Sequence, residues 1–316
     1  MANELPGFAD VLAAAARIAP HAQVTPVLRS RSLDALAGAQ LHFKCENFQR
    51  VGAFKFRGAC NAVWALSDDE VRNGVVTHSS GNHGAALALA ARTRGIRAHV
   101  VVPEGAVKSK LAAIEAYGAT LHRCAPTLAA REAMAAQVQV DTGARLVHPF
   151  TDPWVIAGQG TAALELLRET GELDAVLTPV GGGGLIGGTA LAVAGVCPRT
   201  RVYGAEPAGA AEAFESLRRG ERVTEHTPDT ICDGLRGTIG SINFALMQAH
   251  DIKILTVADS QTLAAMRLLW ERLKILVEPS GATVLAAVLR NRERFAGQRL
   301  GLVLSGGNVD LDDWPV

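Results

Sequence analysis

Short β-branched runs alternate along this chain with longer runs rich in alanine and leucine. Gly74-Val75-Val76-Thr77-His78 predicts a strand and residues 82–93 a helix. Ala98-His99-Val100-Val101-Val102 predicts a second strand, with a helix over 108–117. Thr120-Leu121-His122-Arg123 predicts a third, with a helix over 128–139. Nearer the start, Leu41-His42-Phe43-Lys44-Cys45 reads as a strand, and a helix begins around Phe54. Later, Ala175-Val176-Leu177-Thr178 and Arg201-Val202-Tyr203-Gly204 flank a helix opened by glycines, and Leu300-Gly301-Leu302-Val303-Leu304 is the last apolar run. Strands that alternate with helices imply a mostly parallel sheet covered on both faces, an α/β fold.

Composition narrows the class. The chain has 316 residues, of which 48% are hydrophobic and 20% charged. That is material for about two domains at ~100–200 residues each. The 31 Lys+Arg are matched by 31 Asp+Glu, so a basic nucleic-acid surface is not expected. No apolar stretch is long enough to span a bilayer. Met1-Ala2-Asn3-Glu4-Leu5-Pro6 lacks the basic start of a secretory signal. The cysteines (45, 60, 124, 197 and 232) are scattered, odd in number and without a CxxC pair. Neither a zinc site nor a disulfide framework is indicated, and a reduced, cytoplasmic setting is the expectation.

Three segments carry candidate chemistry. Lys55 lies in Val51-Gly52-Ala53-Phe54-Lys55-Phe56-Arg57-Gly58-Ala59. At the start of a helix the dipole disfavours a lysine, and flanking Phe54 and Phe56 would desolvate the amine and lower its pKa. A solvated surface lysine is the plainer reading of that residue alone. Ser79-Ser80-Gly81-Asn82-His83-Gly84 follows a strand and opens a helix, so its N–H groups suit a carboxylate or phosphate; an ordinary helix cap is the alternative. Gly181-Gly182-Gly183-Gly184 also lies between strand and helix. Gly182-Gly183-Gly184-Leu185-Ile186-Gly187 satisfies G-x-G-x-x-G, with Glu206 roughly 20 residues beyond, so an NAD-dependent dehydrogenase is a real rival. An amine nucleophile, a polar loop and an anion cradle are also the parts of a pyridoxal phosphate enzyme. Two lesser features remain. Glu206 and Glu212, separated by a Pro/Gly turn, would with a backbone carbonyl suit Mg²⁺ or Ca²⁺, although Glu212 also fits a plain helix start. Ser305, in Ser305-Gly306-Gly307-Asn308, stands at the carboxyl end of a strand, where open α/β sheets bind ligands.

Taken together, these residues resemble the serine/threonine dehydratase and serine racemase family of pyridoxal phosphate enzymes, of the tryptophan-synthase-β fold type. The likeness spans nearly the whole chain. It adds Cys45-Glu46-Asn47, Ile156-Ala157-Gly158-Gln159-Gly160-Thr161, Thr230-Ile231-Cys232-Asp233-Gly234-Leu235 and Val277-Glu278-Pro279-Ser280-Gly281-Ala282 to the segments above. It accounts for many segments where the dinucleotide fingerprint accounts for one. The resemblance implies two domains, each an open, mostly parallel twisted sheet flanked by helices, with the cofactor in the cleft between them. Residues 1–48 plus 149–316 would form the large cofactor-binding domain and 49–148 a small domain inserted in it.

The resemblance also implies roles. Lys55 would bond the cofactor covalently and move a proton at the substrate Cα. Phe54 would pack beside the cofactor, Asn82 bond its phenolic oxygen, and Ser305 face its pyridine nitrogen. Gly181, Gly182, Gly183, Gly184 and Leu185 would cradle its phosphate. Ser79, Ser80, Asn82 and His83 would take the substrate carboxylate, and Ser80 would act as acid/base on the face opposite Lys55. Arg131 matches an arginine that swings toward substrate. Glu206, Ala210 through its carbonyl, and Glu212 match a divalent-cation site. Glu212 stands where aspartate is usual, and Ala53 where serine is frequent. The implied activity is β-elimination from a β-hydroxy-L-amino acid such as threonine or serine, giving a 2-oxo acid and ammonia. The alternatives are serine racemisation, or a dehydratase specialised for 3-hydroxyaspartate or phenylserine, with Arg131 or Arg236 meeting a second carboxylate. A homodimer is the expected assembly.

Overall fold

The computed structural model describes residues 5–106 and 108–310. Its strands are β1 (Val27–Leu28), β2 (Gln40–Cys45), β3 (Val75–His78), β4 (Ala98–Pro103), β5 (Thr120–Cys124), β6 (Arg145–Leu146), β7 (Ala175–Pro179), β8 (Arg201–Pro207), β9 (Lys253–Val257) and β10 (Arg299–Leu304). The helices are α1 (Phe8–Ile18), α2 (Arg31–Ala37), α3 (Lys55–Ala65), α4 (Asp68–Val71), α5 (Asn82–Arg94), α6 (Lys108–Ala116), α7 (Leu128–Thr142), α8 (Pro153–Thr170), α9 (Gly184–Val196), α10 (Glu212–Arg219), α11 (Ser241–Ala249), α12 (Asp259–Leu273), α13 (Pro279–Arg290) and α14 (Arg292–Phe295).

The strands form two sheets, of order β1-β2-β10-β7-β8-β9 and β5-β4-β3-β6. Every pairing is parallel except β1 against β2. Strands β3 and β7 are buried along their whole length, as apolar runs without alternation require when helices cover both faces. This is the expected two-domain α/β architecture.

Helix α8 joins the parts that matter for the site. It crosses α3 where Gly158 meets Gly58: a Cβ on Gly158 would lie 2.7 Å from the Arg57 carbonyl oxygen and from the Gly58 Cα. It crosses α9 where Gly160 meets Gly188, and a Cβ on Gly188 would lie 2.5 Å from the Gly160 nitrogen. Only glycine permits backbones to approach this closely. At the first crossing the buried Gln159 carboxamide accepts the Gly58 N–H at 3.0 Å.

Arg57, wholly buried two residues past Lys55, completes the anchorage. Its guanidinium is 2.7 Å from Glu46 Oε2 and 2.7 Å from Glu165 Oε1, and Lys44 Nζ reaches Glu165 Oε2 at 2.6 Å. Burial works against the Arg57 charge, and the two carboxylates outweigh it and hold it protonated. The lysine-bearing helix is thus tied to β2 and α8 as well as to the small sheet.

Candidate active site

The carboxyl ends of the two sheets face one cleft. From the small sheet, β3 runs into Ser79 and α5. From the large sheet, β7 runs into the glycine turn and α9, and β10 into Ser305. An isolated bridge between Ala53 and Gly306, and an N–H of Phe54 donated to the Ser305 carbonyl at 3.0 Å, seat the start of α3 on the end of β10.

Lys55 is the first residue of α3. Its Nζ donates to the Pro149 carbonyl at 3.1 Å and lies 5.2 Å from the Phe54 ring centroid. Burial lowers its pKa to about 8, against the opposing charge of Glu278. Phe56 does not flank the amine. Its ring is fully buried in the core cluster that includes Ile18, Val63 and Ala86, because successive helical residues point about 100° apart. Desolvation of Lys55 therefore involves Phe54, not both rings.

Three buried histidines form a group, of which His83 and His148 sense the Lys55 charge. His83 is 2% exposed, with the Val147 backbone as a hydrogen-bonding neighbour of its ring. Burial, and then the Lys55 charge, push its pKa well below 6.5. His78 packs edge-on against His148, with centroids 5.0 Å apart. Burial lowers His78 to about 4 and His148 to about 3. His148 Nδ1 accepts the Thr151 N–H at 3.1 Å and, more weakly, that of Phe150. All three rings are neutral near pH 7, so the cleft gains no imidazolium beside Lys55.

Asn82 opens α5 and is held from the other domain. Its Nδ2 donates to both oxygens of Glu278, at 3.1 and 3.2 Å, and its Oδ1 accepts from Asn308 Nδ2 at 2.9 Å. Glu278 also accepts the Asn308 N–H at 3.2 Å. Burial, then the neighbouring Asp233 charge, raise the Glu278 pKa to about 7. Glu278 and Asn308 belong to sequence motifs that pointed to no role of their own; a glutamate directly before a helix-opening proline is the local signal. Ser79 and Ser80 are half-buried in the turn before α5, and Ser79 Oγ faces the Gly81 N–H at 3.4 Å.

The glycine turn is built tightly. Gly183 has φ +88° and caps α9 without any side-chain hydrogen bond. A Cβ on Gly182 would lie 2.3 Å from the Phe150 ring, and one on Gly183 2.2 Å from Ile239 Cδ1. The first turn of α9, including Gly184 and Leu185, therefore presents uncapped amides at the positive end of a helix, which suits a phosphate. Ser305 is 2% exposed at the end of β10.

Arg131 lies on α7, half-buried, and its charge bears on His78. Among the described residues its Nε is buried without a partner. Arg236 instead turns back on its own loop, donating to the Thr230 carbonyl at 2.6 and 3.1 Å.

Glu206 and Glu212 are brought together apart from this cleft. Glu206 accepts the Ala213 and Phe214 N–H groups at 3.0 and 2.9 Å, and Glu212 accepts the Ile239 N–H at 2.5 Å. Ala210 is buried in the single 3-10 turn between them. Burial raises Glu206 to about 8 and Glu212 to about 7, and the Glu212 charge adds to the rise at Glu206. Two buried carboxylates and a backbone carbonyl at one turn are oxygen donors of the type a divalent cation takes.

An open α/β scaffold that presents a low-pKa lysine and an uncapped anion cradle across one cleft defines an enzyme that binds a phosphorylated carbonyl cofactor. A family model for pyridoxal-phosphate dependent enzymes matches residues 18–306, and the chain belongs to that family. It is 46% identical over 311 residues to a β-hydroxyaspartate dehydratase of Paracoccus denitrificans (strain Pd 1222), covering 98% of this chain and 99% of that one. It is 46% identical over 307 residues to a serine racemase of Dictyostelium discoideum, covering 96% and 94%. The structure of maize serine racemase superposes with a TM-score of 0.96 at 43% identity, over 98% of this chain and 95% of that one. The cofactor is pyridoxal phosphate, which sets the dinucleotide reading of the glycine run aside.

Proposed function

We propose that the enzyme converts a β-hydroxy-L-amino acid to a 2-oxo acid and ammonia, with 3-hydroxyaspartate as a principal substrate. The observation that carries the reaction is the Lys55 amine, brought to a pKa of about 8 opposite the uncapped start of α9. The cofactor, when bound, supplies an electron sink at the substrate Cα. Lys55 and the phosphate cradle of Gly181, Gly182, Gly183, Gly184 and Leu185 would hold it, with Phe54 beside it, Asn82 at its phenolic oxygen and Ser305 at its ring nitrogen.

The chain's own residues then handle the protons. Lys55 Nζ removes the α-proton and the β-hydroxyl leaves with a proton as water. Addition of water and loss of ammonia complete the product, so the net change is the loss of ammonia. Ser79, Ser80, Asn82 and His83 receive the α-carboxylate on the amides that open α5. Ser80, as the acid/base on the face opposite Lys55, would return a proton to Cα and yield the enantiomer. Ser305, a neutral hydroxyl, would be a weak proton donor to the cofactor's ring nitrogen.

Arg131 favours the 3-hydroxyaspartate assignment. Its charge bears on His78, the residue before Ser79, and its Nε is buried without a partner among the described residues; a relative at 46% identity is named a β-hydroxyaspartate dehydratase. The test is 2-oxo acid release from serine, threonine, phenylserine and 3-hydroxyaspartate, with chiral analysis of recovered substrate. Release from 3-hydroxyaspartate should exceed the others, and Arg131→Leu should lower it selectively. Racemised substrate without oxo acid would overturn the proposal. We also assign the enzyme a homodimeric assembly, which sedimentation of the holoenzyme tests, and a divalent cation at Glu206, Ala210 and Glu212.

A further inference from the structure

Asn243 lies outside every segment given a role so far. It sits in α11, fully buried. Its Nδ2 is 2.6 Å from the Gly182 carbonyl oxygen and 2.7 Å from the Phe150 carbonyl oxygen. A carboxamide has two N–H donors, and this one spends both on those two carbonyls.

The consequences for the glycine turn follow from peptide geometry. The Gly182 carbonyl also accepts the Gly240 N–H at 3.1 Å, so α11 and the residue before it occupy both of its lone pairs. In a planar trans peptide the C=O and the following N–H point to opposite sides. Holding the Gly182 oxygen toward α11 turns the Gly183 N–H away from α11, and among the described residues no protein acceptor meets that N–H. A Cβ on Gly183 would fall 2.7 Å from Asn243 Cβ, so the turn rests directly on this side chain. The other carbonyl belongs to Phe150, next to the Pro149 carbonyl that receives the Lys55 amine.

We propose that Asn243 is a positioning residue that orients the Gly182–Gly183 peptide to receive the cofactor phosphate and fixes that turn relative to the segment on which Lys55 rests. This rests on the reading of the glycine turn as the phosphate cradle. Nothing in it requires contact between Asn243 and cofactor or substrate.

The test uses the full-length enzyme, resolved and reconstituted, with two probes: pyridoxal phosphate, and pyridoxal, which lacks the phosphate. Affinities are read by absorbance titration, and the ³¹P resonance of the bound cofactor is recorded in the holoenzyme. Asn243→Leu keeps the branching and removes both donors. It should weaken pyridoxal phosphate by roughly tenfold or more, the scale of one or two lost hydrogen bonds, leave pyridoxal within about twofold, and shift the ³¹P resonance. A purely structural amide would instead lower both affinities together. Equal loss for both probes, or no loss for either, overturns the proposal.

If the wild-type enzyme does not distinguish the two probes, the cradle reading falls and takes the proposal with it. If the wild type distinguishes them and Asn243→Leu distinguishes them equally well, only the role of Asn243 falls. Should Asn243→Leu not fold, Asn243→Asp keeps the shape and, when protonated, one donor. Its loss should be intermediate at low pH and grow as pH rises. Failure of both variants to fold would assign Asn243 to the core and also overturn the proposal.

Discussion

The Lys55 amine rests 3.1 Å from a backbone carbonyl and 5.2 Å from the centre of one aromatic ring, with a pKa near 8. Capture of pyridoxal phosphate by the resolved enzyme should follow the unprotonated amine: the rate should rise roughly tenfold from pH 6 to 7 and level off above about pH 9. A midpoint near 10.5 would mean a solvated lysine. Lys55→Ala should abolish both turnover and borohydride fixation of the cofactor. Because the folded pKa lies below the unfolded value, the unfolded chain binds more protons between about pH 8 and 10.5, so this residue adds stability as pH rises across that window. A second expectation at this scale is that Ser80→Ala retains oxo acid release and loses any enantiomer formation, measured by chiral analysis. The lysine was legible in the sequence because its local setting is unusual. Phe56 lies in the core, away from the amine, because adjacency in sequence is not adjacency in a helix.

Helix α8 holds α3 and α9 by glycine crossings on either side of Gln159, so it sets the separation of lysine and glycine turn. Gly158→Ala would push a methyl to 2.7 Å from the Arg57 carbonyl. Overpacking of this kind costs about 1–3 kcal/mol, and the melting temperature should fall by roughly 2–8 °C. An unchanged melting temperature would show that the crossing yields freely. The start of α10 makes a second prediction. Without a cation, Glu206 and Glu212 keep their protons to about 8 and 7, so the stability they contribute is present at low pH and lost as pH rises from about 4.5 through those values. Chelated enzyme should therefore lose melting temperature between pH 6 and 9, Mg²⁺ should restore it, and Glu206→Gln should respond to neither. Indifference of the wild type to chelator would leave both residues as helix-start charges. The motif Ile156-Ala157-Gly158-Gln159-Gly160-Thr161 was visible in the sequence, but which helices its glycines admit was not.

Across the whole molecule, the two domains meet through Asn82, Glu278 and Asn308, and through an ion pair between Lys110 of α6 and Asp233. Glu278, buried in this contact, has its pKa raised to about 7, whereas an open, solvated cleft would return it toward 4.5. The closed form thus binds more protons, and closure should weaken as pH rises from about 5 through 7. The KM for amino acid should rise over that range, and Glu278→Gln, which cannot ionise, should flatten the profile. A KM that tracks the wild type in this variant would locate the pH dependence elsewhere. The sequence by itself determined the order of strands and helices, the lysine at a helix start and the glycine turn after a strand, because each depends on neighbours within a few residues. The tertiary structure alone decided that Pro149 offers its carbonyl to Lys55, that Glu278 spans the cleft, and that Asn243 binds carbonyls 61 and 93 residues away. Those partners are mostly backbone atoms, identical in every residue, and only the fold brings a particular one within reach.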